Sequence, residues 1–244
     1  MILYSTPTSK ILSHHDKAYA EFLKWMSYLS KEIRDLKVLV SGSYSMNSLF
    51  SPGSPWSDHD YYFLDKNSLH KAVSIVSKDQ NITLVCETDN AYTYKYKDSL
   101  SFQFVKYIYK SPYKVISSFD FTACAVAFDF KGNIYFTPEA LFSWKNKVLD
   151  FTNFEEWCSK PDIPQKMSNI FSRLYKYRDR YEFQLSKKAF NDFAAYLNNN
   201  KEKSNLKVLS RNSSGIIDSI HSVENSSFAK LSYSEILITL KPLD

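Results

Sequence analysis

Four glycines serve the whole 244-residue chain, and two of them, Gly42 and Gly53, fall between a short β-branched run and a pair of closely spaced acids. Scarce glycines sit where backbone geometry demands them. Lys37 to Val40 reads as a strand running into Ser41, Gly42 and Ser43, and the polar, Pro-bearing segment Ser51 to Ser57 reads as a loop. The chain resumes as a strand over Asp58 to Leu64, in which a period of two puts Asp58 and Asp60 on one face and His59 on the other, packed inward. A strand, a tight turn, a loop and an acid-bearing strand restrict the fold to one with a sheet near its N-terminal third.

Flanking patterns fill in that fold. Ala18, Phe22, Leu23, Met26, Leu29 and Ile33 recur at helical steps across His14 to Asp35. A helix is predicted near Leu69 to Lys78, then a meander of strands over Ile82 to Glu87, Tyr92 to Tyr96 and Leu100 to Tyr109, split at Asp89, Asn90, Lys97 and Asp98. Asp120 to Phe130 and Ile134 to Phe136 read as a hairpin around Lys131, Gly132 and Asn133, and Pro138 opens a helix to about Lys147. Further helices are predicted over Gln165 to Tyr181 and Lys187 to Asn200. The expected architecture is α/β (α+β): a small mixed or antiparallel sheet flanked by helices in a core spanning 1–150, followed by a mostly helical C-terminal region over 151–244.

Composition narrows the chemistry. Hydrophobic residues make up 44% and aromatics 16%, with eighteen Tyr and eighteen Phe, so the chain is built to fold and most rings belong in cores. A net charge of +5 suits an anionic ligand such as a nucleotide or RNA. Cys86, Cys124 and Cys158 are odd in number and widely spaced, which speaks against a disulfide framework or a zinc site and for a cytoplasmic setting. No run approaches the ~18 apolar residues of a membrane span.

Two carboxylates held about 6.5 Å apart along a strand repel unless a divalent cation such as Mg²⁺ or Mn²⁺ neutralises them, and Mg²⁺ combines few carboxylates with the phosphates of its substrate. The Gly42–Ser43 turn, with N–H groups exposed and the hydroxyls of Ser41, Ser43 and Ser45 at hand, could take up phosphate oxygens. Such a pairing fits phosphoryl or nucleotidyl transfer. Arg173, Lys176, Tyr177 and Arg180 form a basic helical face, opposite Met167, Ile170, Phe171 and Leu174, that could meet a triphosphate or an RNA backbone.

Val40, Gly42 and Ser43 followed by Asp58, His59 and Asp60 resemble the polymerase-β-like nucleotidyltransferase superfamily, over roughly residues 14 to 140. Ser41 stands where that pattern has an apolar residue, and the interval before Asp58 is slightly long. Phe119 to Cys124 is similar to a segment of poorly characterised viral and phage members, which would place the protein in the host cytoplasm. The resemblance implies transfer of a nucleoside monophosphate from an NTP to a hydroxyl on RNA, protein or a small molecule, with Asp58 and Asp60 as metal ligands and Gly42 and Ser43 holding the triphosphate. It also implies a third carboxylate on a later strand. If the strand Leu100 to Tyr109 takes that place, the acid aligns near Gln103, which is neutral, and Asp120 is then the substitute and Asp129 a weaker one. The other readings are a catalytically inactive nucleotide-, RNA- or protein-binding module, and a metal-dependent nuclease using the same acids.

Overall fold

The computed structural model describes residues 4–7, 29–42, 45, 59–97, 100–131, 133–158, 170, 173–174, 176–179 and 181–199. They fall into two compact units, one within Met1–Phe119 and Cys124–Ala140, the other within Asp120–Ala123 and Leu141–Asp244.

The first unit is a mixed eight-stranded sheet with helices. Its strands are β1 (Tyr4–Pro7), β2 (Val38–Ser41), β3 (His59–Phe63), β4 (Ile82–Glu87), β5 (Ala91–Tyr96), β6 (Leu100–Val105), β7 (Val126–Asp129) and β8 (Asn133–Phe136), in the spatial order β1-β8-β7-β2-β3-β6-β5-β4. Every neighbouring pair is antiparallel except β3 and β6. The predicted meander is present as β4, β5 and β6. The sheet is wider than the sequence pattern suggests, because β1 carries no alternation that would announce it.

Turn and cap chemistry places the connecting elements. Helix α1 (Lys31–Arg34) starts afresh at the Ser30 hydroxyl, which accepts from the Ile33 N–H, so the single helix expected over His14 to Asp35 is interrupted at Leu29 and Ser30, and its part before Leu29 lies outside the described residues. Helix α2 (Lys66–Val76) begins earlier than its apolar residues alone indicate, because Asp65 caps it by accepting from the Ser68 N–H at 2.7 Å. That N–H is the chief reason the Asp65 carboxyl titrates below its ordinary value. Leu69, Ala72 and Val76 of α2 are buried. The strand expected to run to Tyr109 stops at Val105, and Ser111 and Pro112 start a helix the pattern did not suggest, α3 (Pro112–Ile116).

The strand expected from Asp120 also begins later. Thr122–Cys124 is a 3-10 turn and β7 starts at Val126, so the hairpin is β7 and β8 alone. Asp129 closes it by accepting from the Lys131 N–H, the Asn133 N–H and side-chain amide, and the Tyr135 hydroxyl, all within 2.9 Å. Burial, reinforced by this carboxylate, pushes the Tyr135 phenol up to about 12. Asp129→Ala is expected to destabilise the protein by about 1–3 kcal/mol, since it strands the partly buried donors. Urea denaturation checks this, and an unchanged midpoint would show that the turn holds without the carboxylate.

One sheet face is aromatic. Phe104 sits among Phe63 at 5.1 Å, Tyr94 at 5.2 Å, Phe102 at 5.4 Å and Tyr61 at 5.6 Å between ring centroids, with Phe104 and Phe63 wholly buried. Rings at these separations and tilts bring edges against faces, adding to the roughly 1.5–3 kcal/mol that burying one such side chain contributes.

In the second unit, Phe121 and Phe151 form an isolated antiparallel bridge and stack at 5.3 Å. Trp144, Tyr177, Tyr181, Phe183 and Phe193 complete a second buried aromatic cluster. Two short strands, β9 (Val148–Leu149) and β10 (Gln184–Leu185), pair in parallel. Helix α4 (Pro138–Asn146) crosses the boundary between the units; α5 (Phe154–Cys158) and α6 (Lys187–Asn199) lie in the second, and α6 matches its prediction closely. Among the described residues, no helix is long and apolar enough to cross a membrane.

Candidate functional site

The site grows out of the β2–β3 pair. All four residues of β2 are buried, and its last, Ser41, pairs with Asp60 of β3. Immediately afterwards Gly42 takes φ +90, a conformation that side-chain-bearing residues rarely adopt. A side chain there would also crowd the acid: a Cβ on Gly42 would lie 2.7 Å from the Asp60 carboxylate oxygen Oδ2, so the carboxylate would have to shift. The turn backbone therefore lies directly against the acid. Asp60 is partly exposed, while His59 and Tyr61 on either side of it are buried.

His59 follows its prediction and points inward, 1% exposed. Burial pushes its imidazole well below the ordinary value, so it is uncharged at neutral pH. The hydroxyls of Ser41 and Ser45, expected to help with phosphate, are committed elsewhere. Both residues are fully buried; Ser41 donates to the Val126 carbonyl of β7, and Ser45 to the Val40 carbonyl at 3.0 Å. Their role is to fasten β2 and the turn.

On the other flank of β3 runs β6, in parallel, with Asp60 opposite Gln103. Laterally paired residues share a sheet face, so the amide of Gln103 is the neighbour of the Asp60 carboxylate. The next residue in the row is Thr93 of β5. Ser41, Asp60, Gln103 and Thr93 thus make a polar row with a single acid. Among the described residues, no three His, Cys, Asp or Glu side chains gather as a metal-binding group. Asp58 and Ser43 lie outside the described residues.

Asp120, Arg173 and Lys176 belong to the second unit. Asp120 precedes the Phe121 bridge instead of opening a strand, and its backbone carbonyl accepts from the Thr152 N–H at 2.9 Å. Its carboxylate receives a hydrogen bond from the Arg173 guanidinium, so two of the expected site residues are brought together as an ion pair. Arg173 is exposed and Lys176 half-buried on the helical stretch that also carries Ile170 and Leu174 inward. Tyr177, expected on the basic face, is buried instead against Phe121, Tyr181 and Phe183, because a bulky ring contributes more inside the aromatic cluster than beside cations. Met167, Phe171 and Arg180 lie outside the described residues. Asp129 is taken up by its hairpin turn.

Residues 14–147 match the family model described as Gabija anti-defense 2 family protein. The chain belongs to this family. The Gabija anti-defense 2 match takes in Gly42, Ser43, Asp58, Asp60, Gln103 and Asp120 and stops before Arg173 and Lys176. No curated protein sequence matches this family member. Among solved structures, it is similar to the Thermotoga maritima CCA-adding enzyme complexed with tRNA, at TM-score 0.61 and 16% identity over 84% of this chain and 48% of that one. A CCA-adding enzyme in complex with CTP matches at TM-score 0.61 and 14% identity, over 82% of this chain and 46% of that one. The complex with ATP matches at 0.61 and 13%, over 84% and 48%. The Gabija anti-defense 2 chain thus has a nucleotidyltransferase-like fold and spans about half the length of the solved structures it matches.

Proposed function

We propose that this protein is a divalent-cation-dependent nucleotidyltransferase that moves a nucleoside monophosphate from an NTP to a hydroxyl acceptor on RNA, protein or a small molecule. The observation that carries the reading is the seating of the Gly42 backbone against the Asp60 carboxylate, so close that an added Cβ would lie 2.7 Å from Oδ2. A glycine backbone this close to an acid would let turn N–H donors and a metal-ligating oxygen serve one ligand, the pairing that a nucleoside triphosphate with its cation requires. The fold shared with CCA-adding enzymes supports the same reading.

Asp60 and, from the sequence period, Asp58 would hold Mg²⁺ or Mn²⁺, which when bound neutralises charge on the phosphates and the leaving pyrophosphate. Gly42 and Ser43 hold the triphosphate, and Asp120 is the candidate third acid, provided it exchanges its Arg173 partner for the cation. Arg173 and Lys176 contact phosphate or the acceptor backbone. In the transfer, the acceptor oxygen bonds to the α-phosphorus, its proton passes to solvent, and the bond to the bridging oxygen breaks to release pyrophosphate. The host cytoplasm is the setting, and countering the defence for which the family is named is the process served.

Asp60→Asn is expected to lower transfer by more than the ~10–100-fold typical of losing an outer-shell partner of a metal ligand. Incubation with labelled NTPs, Mg²⁺ or Mn²⁺ and a mixed RNA and protein acceptor pool tests this. Labelled product that vanishes in Asp58→Ala and Asp60→Ala supports the enzyme; product that persists in both sinks it. Gln103 opposite Asp60 favours a second reading, an inactive nucleotide- or RNA-binding module. Nucleotide binding without transfer supports that one, and cleavage of nucleic acid with no NTP requirement would point to a nuclease.

A further inference from the structure

We propose that Gln103 makes capture of a divalent cation at Asp60 conditional on a bound nucleotide; this rests on the nucleotide site described under the proposed function. Asp60 lies between Ser41 on one side and Gln103 on the other, and beyond Gln103 stands Thr93. None of the three flanking side chains carries charge. The Ser41 hydroxyl is committed to the Val126 carbonyl, and Thr93 is buried. Gln103 is partly exposed, so its amide is the lateral neighbour of Asp60 best able to reach a ligand.

An amide and a carboxylate differ little in shape but by a full charge. Hard cations are held by oxygen ligands with an affinity that follows the ligands' charge count and the rigidity of the site. The Gln103 carbonyl oxygen can approach a cation without compensating its charge, and its NH₂ group donates to a phosphate or sugar oxygen, which a carboxylate in the same place could not do. A triphosphate supplies the missing negative charge. Cation and nucleotide therefore bind as a pair, each raising the affinity of the other by the same factor, as linkage requires. A glutamate at this position would do the opposite on both counts, drawing in the cation alone and repelling the triphosphate.

The test is a titration of the full chain with Mn²⁺, free Mn²⁺ being read by its electron paramagnetic resonance signal, with and without a non-hydrolysable ATP analogue, and with the Mn²⁺ that the analogue chelates in a parallel protein-free titration subtracted. Wild type is expected to bind Mn²⁺ weakly alone and at least about tenfold more tightly with the analogue; Gln103→Glu is expected to tighten binding of Mn²⁺ alone by about tenfold or more. Gln103→Asn, which keeps the position neutral, should retain weak binding of Mn²⁺ alone and so separates charge from disruption. Circular dichroism checks that both variants fold. Equal Mn²⁺ affinity with and without the analogue, or no tightening in folded Gln103→Glu, overturns the proposal while leaving a nucleotide site standing if the analogue still binds. Failure of every form to bind the analogue at any Mn²⁺ concentration overturns both this proposal and the reading on which it rests.

Discussion

Gly42→Ala is expected to lower nucleotide transfer by about 10²-fold or more while leaving a folded protein. Two penalties act together. The methyl group would enter 2.7 Å from the Asp60 oxygen, and φ +90 would strain any residue with a Cβ. Backbone strain of this kind costs about 1–3 kcal/mol, a fraction of the roughly 5–15 kcal/mol that holds a domain together. The carboxylate is the softer partner, so it moves. A displacement near 1 Å at a reacting centre can cost about 10²-fold, and a loss of that order or larger is expected. Labelled-NTP transfer measures the activity and thermal melting measures the fold. In an Asp60→Ala background the same substitution should cost less stability, because only the φ strain remains. Full activity in folded Gly42→Ala would show that the turn and the acid do not act as one site.

Phe104→Ala should have the largest effect on stability, about 3–5 kcal/mol from lost burial and the cavity left behind. Phe104 is wholly buried and meets four rings, from β3, β5 and β6, so the neighbours cannot close the gap by moving one strand. It is also next in sequence to Gln103, so loosening it disturbs the lateral partner of Asp60. Urea denaturation gives the loss as a fall in midpoint at constant slope. A change below about 1 kcal/mol, within the range of a well-tolerated swap, would mean that the cluster repacks freely.

The elements most readable from sequence were those whose side chains alternate or repeat over enough residues: β2, β3, the meander and α6. The errors have local causes. The apolar residues of α2 mark only its later part, because its start is set by Asp65, whose cap is a single hydrogen bond with no periodic signature. Helix α3 follows from Ser111 and Pro112, a start signal too short to outweigh the β-rich run before it. At the site, sequence could place Gly42 near Asp60 in order along the chain, but contact between them depends on the β2–β3 register. The alignment of Gln103 with Asp60 was conditional in the same way, because strand pairing joins residues with no local link. The hydroxyls of Ser41 and Ser45 show the limit most clearly: composition beside a glycine suggested ligand binding, whereas burial gave both to backbone carbonyls.

The order of strands in the sheet has a consequence for synthesis on the ribosome. β2 and β3 emerge early and pair with each other, but their outer neighbours, β7 and β6, come much later in the chain. Until β6 has been made, the Gln103 side of Asp60 does not exist, and until β7 follows, Ser41 lacks the carbonyl that anchors the turn. Pairings between distant segments form late, because closing the intervening loop costs entropy before any contact returns it. The acid is therefore among the first functional residues translated and among the last to mature, and nascent chains stopped short of Leu100 would carry it without either support.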